Sequence, residues 1–268
     1  MSASNPGQRT IDRPPRIALL IDADNSPAAK IDLILNELST FGETSIRRAY
    51  GNWKKQGLRG WEEVLHEHAI RPIQQFDYSK GKNASDMAMV IDALDILYSD
   101  RPEAFGVVSS DADFTPLVMY LRAKGAAVYG FGEQKTPEPF VNACSRFLFL
   151  DKLGASAAGG AVEGDGDGAS RDDAAAAPLR MPTAKLKQDA KLVSLLRNAV
   201  EAAKGENGWA RVGAVGQQIG NQASFDSRNY GYATLTKLLK ATDLFQLDKE
   251  GTSEVSVRDI RQARSAKP

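Results

Sequence analysis

The chain has 268 residues, of which 42% are apolar and 25% charged, with 34 Lys and Arg against 34 Asp and Glu. This is ordinary for a globular protein and leaves room for one large domain or two modest ones. A net charge of zero gives no pointer to a polyanion, no apolar run approaches the roughly 20 residues of a membrane span, and the single cysteine, Cys144, excludes an intrachain disulfide and a thiolate zinc site.

Residues 1–15 carry Ser, Asn, Gly, Gln and three prolines and read as a disordered leader without the apolar core of a signal peptide. With the lone cysteine, this predicts a cytoplasmic protein. From Arg16 the pattern turns to alternating strands and helices. Ile17–Ile21 is a short buried strand. Asp22-Ala-Asp-Asn-Ser-Pro starts a helix running to about Leu38. Strands follow at Thr44–Tyr50, Ala69–Gln74, Phe105–Ser109, Ala126–Phe131 and Arg146–Leu150. Helices are expected at Gly60–His68, Ala84–Tyr98, Phe114–Lys124 and Glu138–Cys144. This rhythm implies βαβ units around a mostly parallel sheet, and the unbroken apolar strands imply that both its faces are covered.

Residues 153–183 are rich in Ala, Gly and Asp and read as a flexible linker. A second unit follows, with helices at Leu186–Lys204, Val212–Ile219 and Tyr230–Ala241. A hairpin of Leu244–Asp248 and Ser253–Val257 then turns at Lys249-Glu250-Gly251. Three helices and a hairpin outline a winged helix over 184–262, leaving a tail at 263–268. Residues 183–268 hold 14 Lys and Arg against 9 Asp and Glu, a mild pointer to a polyanionic partner.

Four acids stand out by their place in the first unit. Asp22 ends the first strand, Asp111 and Asp113 follow the strand Phe105–Ser109, and Asp86 opens the helix Ala84–Tyr98. Functional sites in open α/β sheets lie outside the carboxyl ends of the strands, so these acids converge if the two strands are neighbours. Asn25, one helical turn after Asp22, adds a neutral oxygen. Clustered carboxylates either keep some protons or take up a hard cation, and oxygen ligands suit Mg²⁺ or Mn²⁺. Such ions serve phosphodiester hydrolysis. The bland alternative is helix capping, a role that Asp24 and Asp113 fit. Asp92, in the same helix as Asp86, is a weaker candidate, and Asp95 belongs on the solvent face. His66 and His68 fall on a helix away from these motifs.

The stretches Leu20-Ile-Asp-Ala-Asp-Asn25, Lys80-Gly-Lys-Asn-Ala-Ser-Asp86, Val108-Ser-Ser-Asp-Ala-Asp-Phe114 and Gly125-Ala-Ala-Val-Tyr-Gly-Phe131 resemble the NYN family of PIN-like nucleases. The resemblance spans roughly 16–152. It implies a three-layer α/β/α sandwich, a divalent metal and endoribonuclease activity. Asp22, Asp86, Asp111 and Asp113 carry over as catalytic metal ligands, with Asn25 and Lys82 as contacts to the nucleic acid. Ser110 stands where the family usually carries Gly, at the backbone approach to substrate, and counts among those contacts. The C-terminal unit resembles the OST-HTH (LOTUS) winged-helix family, through Ser224-Phe-Asp226, Tyr230-Gly-Tyr-Ala-Thr-Leu235, Leu238-Leu239 and Leu244-Phe-Gln-Leu247. That resemblance implies RNA binding or docking of a protein partner. Arg211, Lys237 and Lys240, with Arg228, are placed to meet phosphates, whereas Tyr230 and Tyr232 read as core rather than as stacking platforms.

The function expected is a metal-dependent ribonuclease with its own RNA-binding module. One alternative is a non-catalytic RNA-binding adaptor. Another is a phosphatase similar to the haloacid dehalogenases, whose nucleophile and acid are spaced like Asp22 and Asp24. The sequence fixes neither the choice of RNA over DNA nor the oligomeric state.

Overall fold

The computed structural model of the chain describes residues 13–76, 84–153, 180–252 and 254–261. Most of the expected leader and linker, the tail, and Lys82 lie outside these residues. Six parallel strands form one sheet in the order β3-β2-β1-β4-β5-β6. They are β1 (Arg16–Asp22), β2 (Glu43–Gly51), β3 (Arg71–Gln74), β4 (Ala104–Val108), β5 (Ala127–Gly132) and β6 (Arg146–Phe149). The chain order reverses at β1 and β4, which lie side by side with Ile21 opposite Val108.

Both faces of the sheet are buried, as the unbroken apolar strands imply. Along β1, Ala18 and Leu20 point into one core, with Met89, Ala93 and Ile96 of α3 (Ala84–Ser99). Ile17, Leu19 and Ile21 point into the other, with Ile31, Ile34 and Leu38 of α1 (Ile31–Ser39). This period-two split of an all-apolar strand is what a sheet covered by helices on both sides requires. The remaining helices of the sandwich are α2 (Glu62–Glu67), α4 (Thr115–Ala123), α5 (Glu138–Ala143) and α6 (Leu150–Leu153). Burial pushes the Cys144 thiol up to about 12, so it is an inert core group.

Asp92 is a structural acid. On α3, it accepts hydrogen bonds from Arg48 and the Tyr50 hydroxyl of β2, tying that helix to the sheet. Burial, with Asp92 next in weight, raises the Tyr50 hydroxyl well above its ordinary range, so it stays a donor.

The second unit packs around Leu192, Leu196, Val215, Ile219, Leu238 and Leu239. The single helix expected over Leu186–Lys204 is broken into α7 (Thr183–Gln188) and α8 (Ala190–Ala202). Asp189 leaves the helical region there, with ψ of 90°, and its carboxylate caps the next helix at Leu192 N. After α9 (Val212–Gln222), the last helix is shorter than the sequence suggests. A short 3₁₀ turn at Ser227–Tyr230 ends at Gly231, whose φ of 84° suits glycine. Thr234 then caps α10 (Leu235–Thr242). The hairpin strands β8 (Phe245–Asp248) and β9 (Ser256–Asp259) are joined by β7 (Ala210–Arg211), a strand too short to leave a sequence signature. Tyr232 is buried with its hydroxyl on Met181 O, and Tyr230 stacks on Phe225, so both are core residues as read.

The two units are locked together. Arg228 donates to both Glu37 oxygens of α1 at 2.6 Å, and to both Asp226 oxygens at 2.8–2.9 Å. This fork meets two carboxylates in bidentate fashion, so Arg228 is a clamp between domains and not the phosphate contact expected of it. Beside it, Asn229 treats the edge strand β6 as a neighbouring strand would. Its side chain accepts from Phe149 N at 3.1 Å and donates to Phe147 O at 2.8 Å. Lys152 donates to the Asn229 carbonyl. The open edge of the sheet is thereby capped.

Arg228→Leu leaves Glu37 and Asp226 in a partly buried site with Arg146, 3.8 Å from Asp226, as the remaining neighbouring cation. It should weaken the docked state by about 3 kcal/mol, read as a larger radius of gyration in solution scattering. Arg228→Leu with Glu37→Gln should recover part of the loss.

Candidate active site

The reversal of chain order opens a crevice at the carboxyl ends of β1 and β4, and the sequence puts acids there from three elements. Asp22, the last residue of β1, is 1% exposed. Its Oδ2 accepts from Ser109 Oγ and from Asn25 Nδ2, each at 3.0 Å, and Asn25 also lies 3.2 Å from Oδ1. Ser109 directly follows β4, and its Oγ in turn accepts from Asp111 N at 3.1 Å. One hydroxyl thus links the acid of the first motif to the backbone of the second.

Asp111 caps the 3₁₀ turn Ala112–Phe114, accepting from Asp113 N at 2.8 Å. The capping role read for Asp113 therefore belongs to Asp111. A carboxylate offers about four acceptor positions, so capping and ligation are compatible. Asp24 is not a cap either. It accepts from Lys55 Nζ and from Ser85 Oγ, both at 3.2 Å, and so joins β1 to the start of α3. Asp113 is exposed.

Asp86 senses all of them. Burial first, then the charges of Asp22, Asp111, Asp24 and Asp113, raise its carboxyl to about 6. Burial also raises Asp22, against the opposing pull of its Asn25 and Ser109 hydrogen bonds. The four sequence-predicted acids, joined by Asp24, therefore share one electrostatic site. They ring the crevice without converging on a point: among the described residues, no three His, Cys, Asp or Glu side chains stand close enough to hold one ion between them. Donor chemistry nonetheless suits Mg²⁺ or Mn²⁺. Mg²⁺ in particular keeps several waters and is bound through one or two carboxylates together with substrate phosphates.

A cleft of about 690 Å³ adjoins the acids, lined by Asn25, Lys55, Ser110, Asp111, Glu133 and Lys135 among others. Ser110 is held by structure: its Oγ accepts from Glu133 N at 2.8 Å and fastens the β4 loop to the β5 loop. Gly132 makes that approach possible, since a Cβ there would lie 2.7 Å from Ser109 O and equally close to Thr136 Oγ1. Lys135 pairs with Glu133 at 2.6 Å at the rim. The reading of the sequence missed Ser109, Lys135 and the role of Asp24. The signal for Ser109 was its place between strand and acids; Lys135 gave none.

His66 and His68 lie on α2 and its C-terminal cap, outside this crevice, as expected. Trp53 donates its indole N–H to Ile73 O and serves the fold, while Lys54 lies over the Phe76 ring. In the second unit, Arg211 pairs with Glu254 and Lys240 with Glu250, so both reach the wing turn through different acids. Lys237 is exposed on α10. Among the described residues no helix is long and apolar enough to cross a membrane.

A model of the NYN domain matches residues 16–151, and a model of the OST-HTH/LOTUS domain matches residues 185–257. An uncharacterized protein of Methanocaldococcus jannaschii is 28% identical over 123 residues, covering 44% of this chain and 48% of that protein. The chain thus spans about half the length of that curated relative. A crystal structure of a protein of unknown function from Vibrio parahaemolyticus aligns over 53% of this chain and 96% of that one. It has 18% identity and a TM-score of 0.44.

Asp86 gives a pH dependence with a definite sign. Its carboxyl rises from 3.8 to about 6 on folding, so the folded state binds the extra proton. Without divalent cations, stability should fall as pH rises from about 4 to about 6. Asp86→Asn should flatten that slope, and added Mn²⁺ should stabilise the protein more at pH 7.5 than at pH 5. Thermal melts across pH check both.

Proposed function

We propose an activity from one premise: the chain belongs to the NYN family, within the PIN-like nuclease superfamily, and carries an OST-HTH/LOTUS domain C-terminal to it. The activity is metal-dependent endonucleolytic hydrolysis of RNA. The single observation that supports it best is the gathering of acids from β1, from the turn after β4 and from the start of α3 at the switch point of a parallel sheet, where burial and the neighbouring charges raise the Asp86 carboxyl. Among the described residues, Lys55 on Asp24 is the cation paired with this group of acids.

One or two of Asp22, Asp86, Asp111 and Asp113, together with waters and substrate phosphate oxygens, would hold Mg²⁺ or Mn²⁺. When bound, the ion would supply a water of lowered pKa and neutralise charge building on the phosphoryl oxygens. The chain's own residues do the rest. Asn25 and Ser109 fix the rotamer of Asp22, so its oxygens do not turn away from the crevice. Ser110 holds the Glu133 loop, and with it Lys135, at the mouth of the cleft. Lys55 and Lys135 are suited to carry the phosphates on either side of the bond to be cut, as salt-sensitive point charges. RNA is preferred to DNA on the strength of the attached OST-HTH/LOTUS domain. A reducing, cytoplasmic setting is proposed from the single inert cysteine.

The phosphatase alternative is set aside. The domain that matches residues 16–151 is NYN, and the attached unit is OST-HTH/LOTUS rather than a cap over a small-molecule site.

The test is cleavage of single-stranded RNA and DNA by the full chain with Mn²⁺ and with chelator. RNA should be cut, and chelation should stop it. Asp111→Asn should lower the rate by about 10²-fold or more. Should Asp111→Asn cut as fast as the parent chain, the assignment of the acids is wrong; should the parent chain bind RNA without cutting it, an RNA-binding adaptor remains. Ser109→Ala removes one of the two groups that orient Asp22, together with the acceptor of the Asp111 N–H. It should cost about 10–100-fold in Mn²⁺ affinity or rate, with affinity read by calorimetry.

A further inference from the structure

The wing of the C-terminal domain carries a second groove, remote in sequence from the acids. It measures about 360 Å³ and is lined by Asn207, Trp209, Arg211, Lys249, Glu254 and Ser256 among others. The geometry points to a binding site here for one unpaired nucleotide of a single RNA strand, with Trp209 as the base platform and Arg211 and Lys249 as phosphate contacts. This rests on the reading of the domain as an RNA-binding module, and is independent of whether the first domain cuts.

The platform is built and fixed. Gly205 N donates to Trp209 O at 3.0 Å, Gly208 N to Gly205 O at 3.0 Å, and Trp209 N to Asn207 Oδ1 at 3.1 Å. Gly208 has a φ of 77°, so this turn favours glycine. The indole is half-buried, and the Arg258 guanidinium lies over it at 4.5 Å. Arg258 is held in turn by Gln246, 2.6 Å away on the neighbouring strand. A stacked Trp–Arg pair is a rigid, electron-rich and cationic surface that suits any base face. Pairing in a duplex hides base faces between neighbours, so the platform suits unpaired strands.

The charges beside it are set to exchange partners. Arg211 lies 3.6 Å and Lys249 3.3 Å from the same residue, Glu254. Both distances exceed the 2.7–2.9 Å or so of a strong charge-assisted bond. All three side chains are more than half exposed, where such pairs contribute little. One carboxylate is shared by two cations, so the charged residues lining the groove sum to a positive charge, with Arg258 stacked on the indole beside them. Arg211 and Ser256 lie opposite each other in the β7–β9 pairing, which puts the guanidinium on the sheet beside the turn bearing the indole. Lys237 and Lys240 on α10, singled out with Arg211 in the sequence, lack an aromatic partner of this kind among the described residues.

The experiment uses the full chain in chelator, so that no cleavage occurs, and a fluorescein-labelled single-stranded RNA of mixed sequence read by anisotropy. Trp209→Ala should weaken binding by about tenfold or more, and Trp209→Phe should retain most of the affinity. Arg211→Gln with Lys249→Gln should lower the slope of log affinity against log salt by about 1.4, or 0.7 per phosphate contact. That double variant is on the surface and keeps the test decisive if Trp209→Ala misfolds. The site is overturned if the double variant leaves the slope unchanged. It is also overturned if Lys237→Gln with Lys240→Gln abolishes binding instead, or if the chain binds no RNA and the groove captures only protein. Failure of the nuclease reading shows differently, as loss of cleavage with RNA binding intact.

Discussion

The repulsion among carboxylates at the ends of β1 and β4 is the constraint on which the first domain turns. A parallel sheet whose chain order reverses brings two strand ends and the loops after them to one crevice, and here those ends are acidic. Asp22 is placed by burial, Asp111 by its capping bond, and Asp86 by the first turn of α3, an element held to the sheet by the Asp92–Arg48–Tyr50 contacts. Each of these placements is locally sound. Together they leave Asp86 with a carboxyl raised to about 6 and Asp22 raised by its burial at the end of β1.

The second domain is not loosely appended. Arg228 makes four hydrogen bonds to two carboxylates, one from each domain, and Asn229 caps the edge strand β6. A surface ion pair would be worth little, but this one sits beside a backbone match that requires a defined register. Among the described residues, side chains in a short turn, Asp226 to Asn229, hold the second unit against the sheet, with Lys152 and the Lys191–Glu138 pair beside them.

Much of this was legible in the residues. The alternation of apolar strands and helices gave the parallel sheet and its covered faces, since periodicity survives into structure when burial is uniform. The acids at strand ends were legible because position after a strand fixes position on the sheet. What failed was local and polar. The helix break at Asp189 and the late start of α10 at Leu235 follow from side-chain caps that outcompete an amphipathic pattern. Arg228 looked like any surface cation, because its partner Glu37 lies 191 residues away. Ser109 and Lys135 depend on loop geometry that no spacing encodes, and β7, two residues long, has no pattern at all.

The even charge balance of the whole chain conceals a division of labour. An acidic crevice repels phosphates, so on the proposed activity its residues contribute little affinity of their own until a cation is present. The lysines at its rim are few, and Lys55 and Lys135 are already engaged with Asp24 and Glu133. Affinity for a polyanion must then come from elsewhere in the molecule. The C-terminal 86 residues hold the excess of basic side chains, and the wing arranges three of them around an indole. Because the domains are clamped, a strand held on the wing stays at a fixed distance from the crevice. Retention and cutting can then be tuned on separate surfaces, without requiring one site to be both attractive to phosphate and rich in carboxylates.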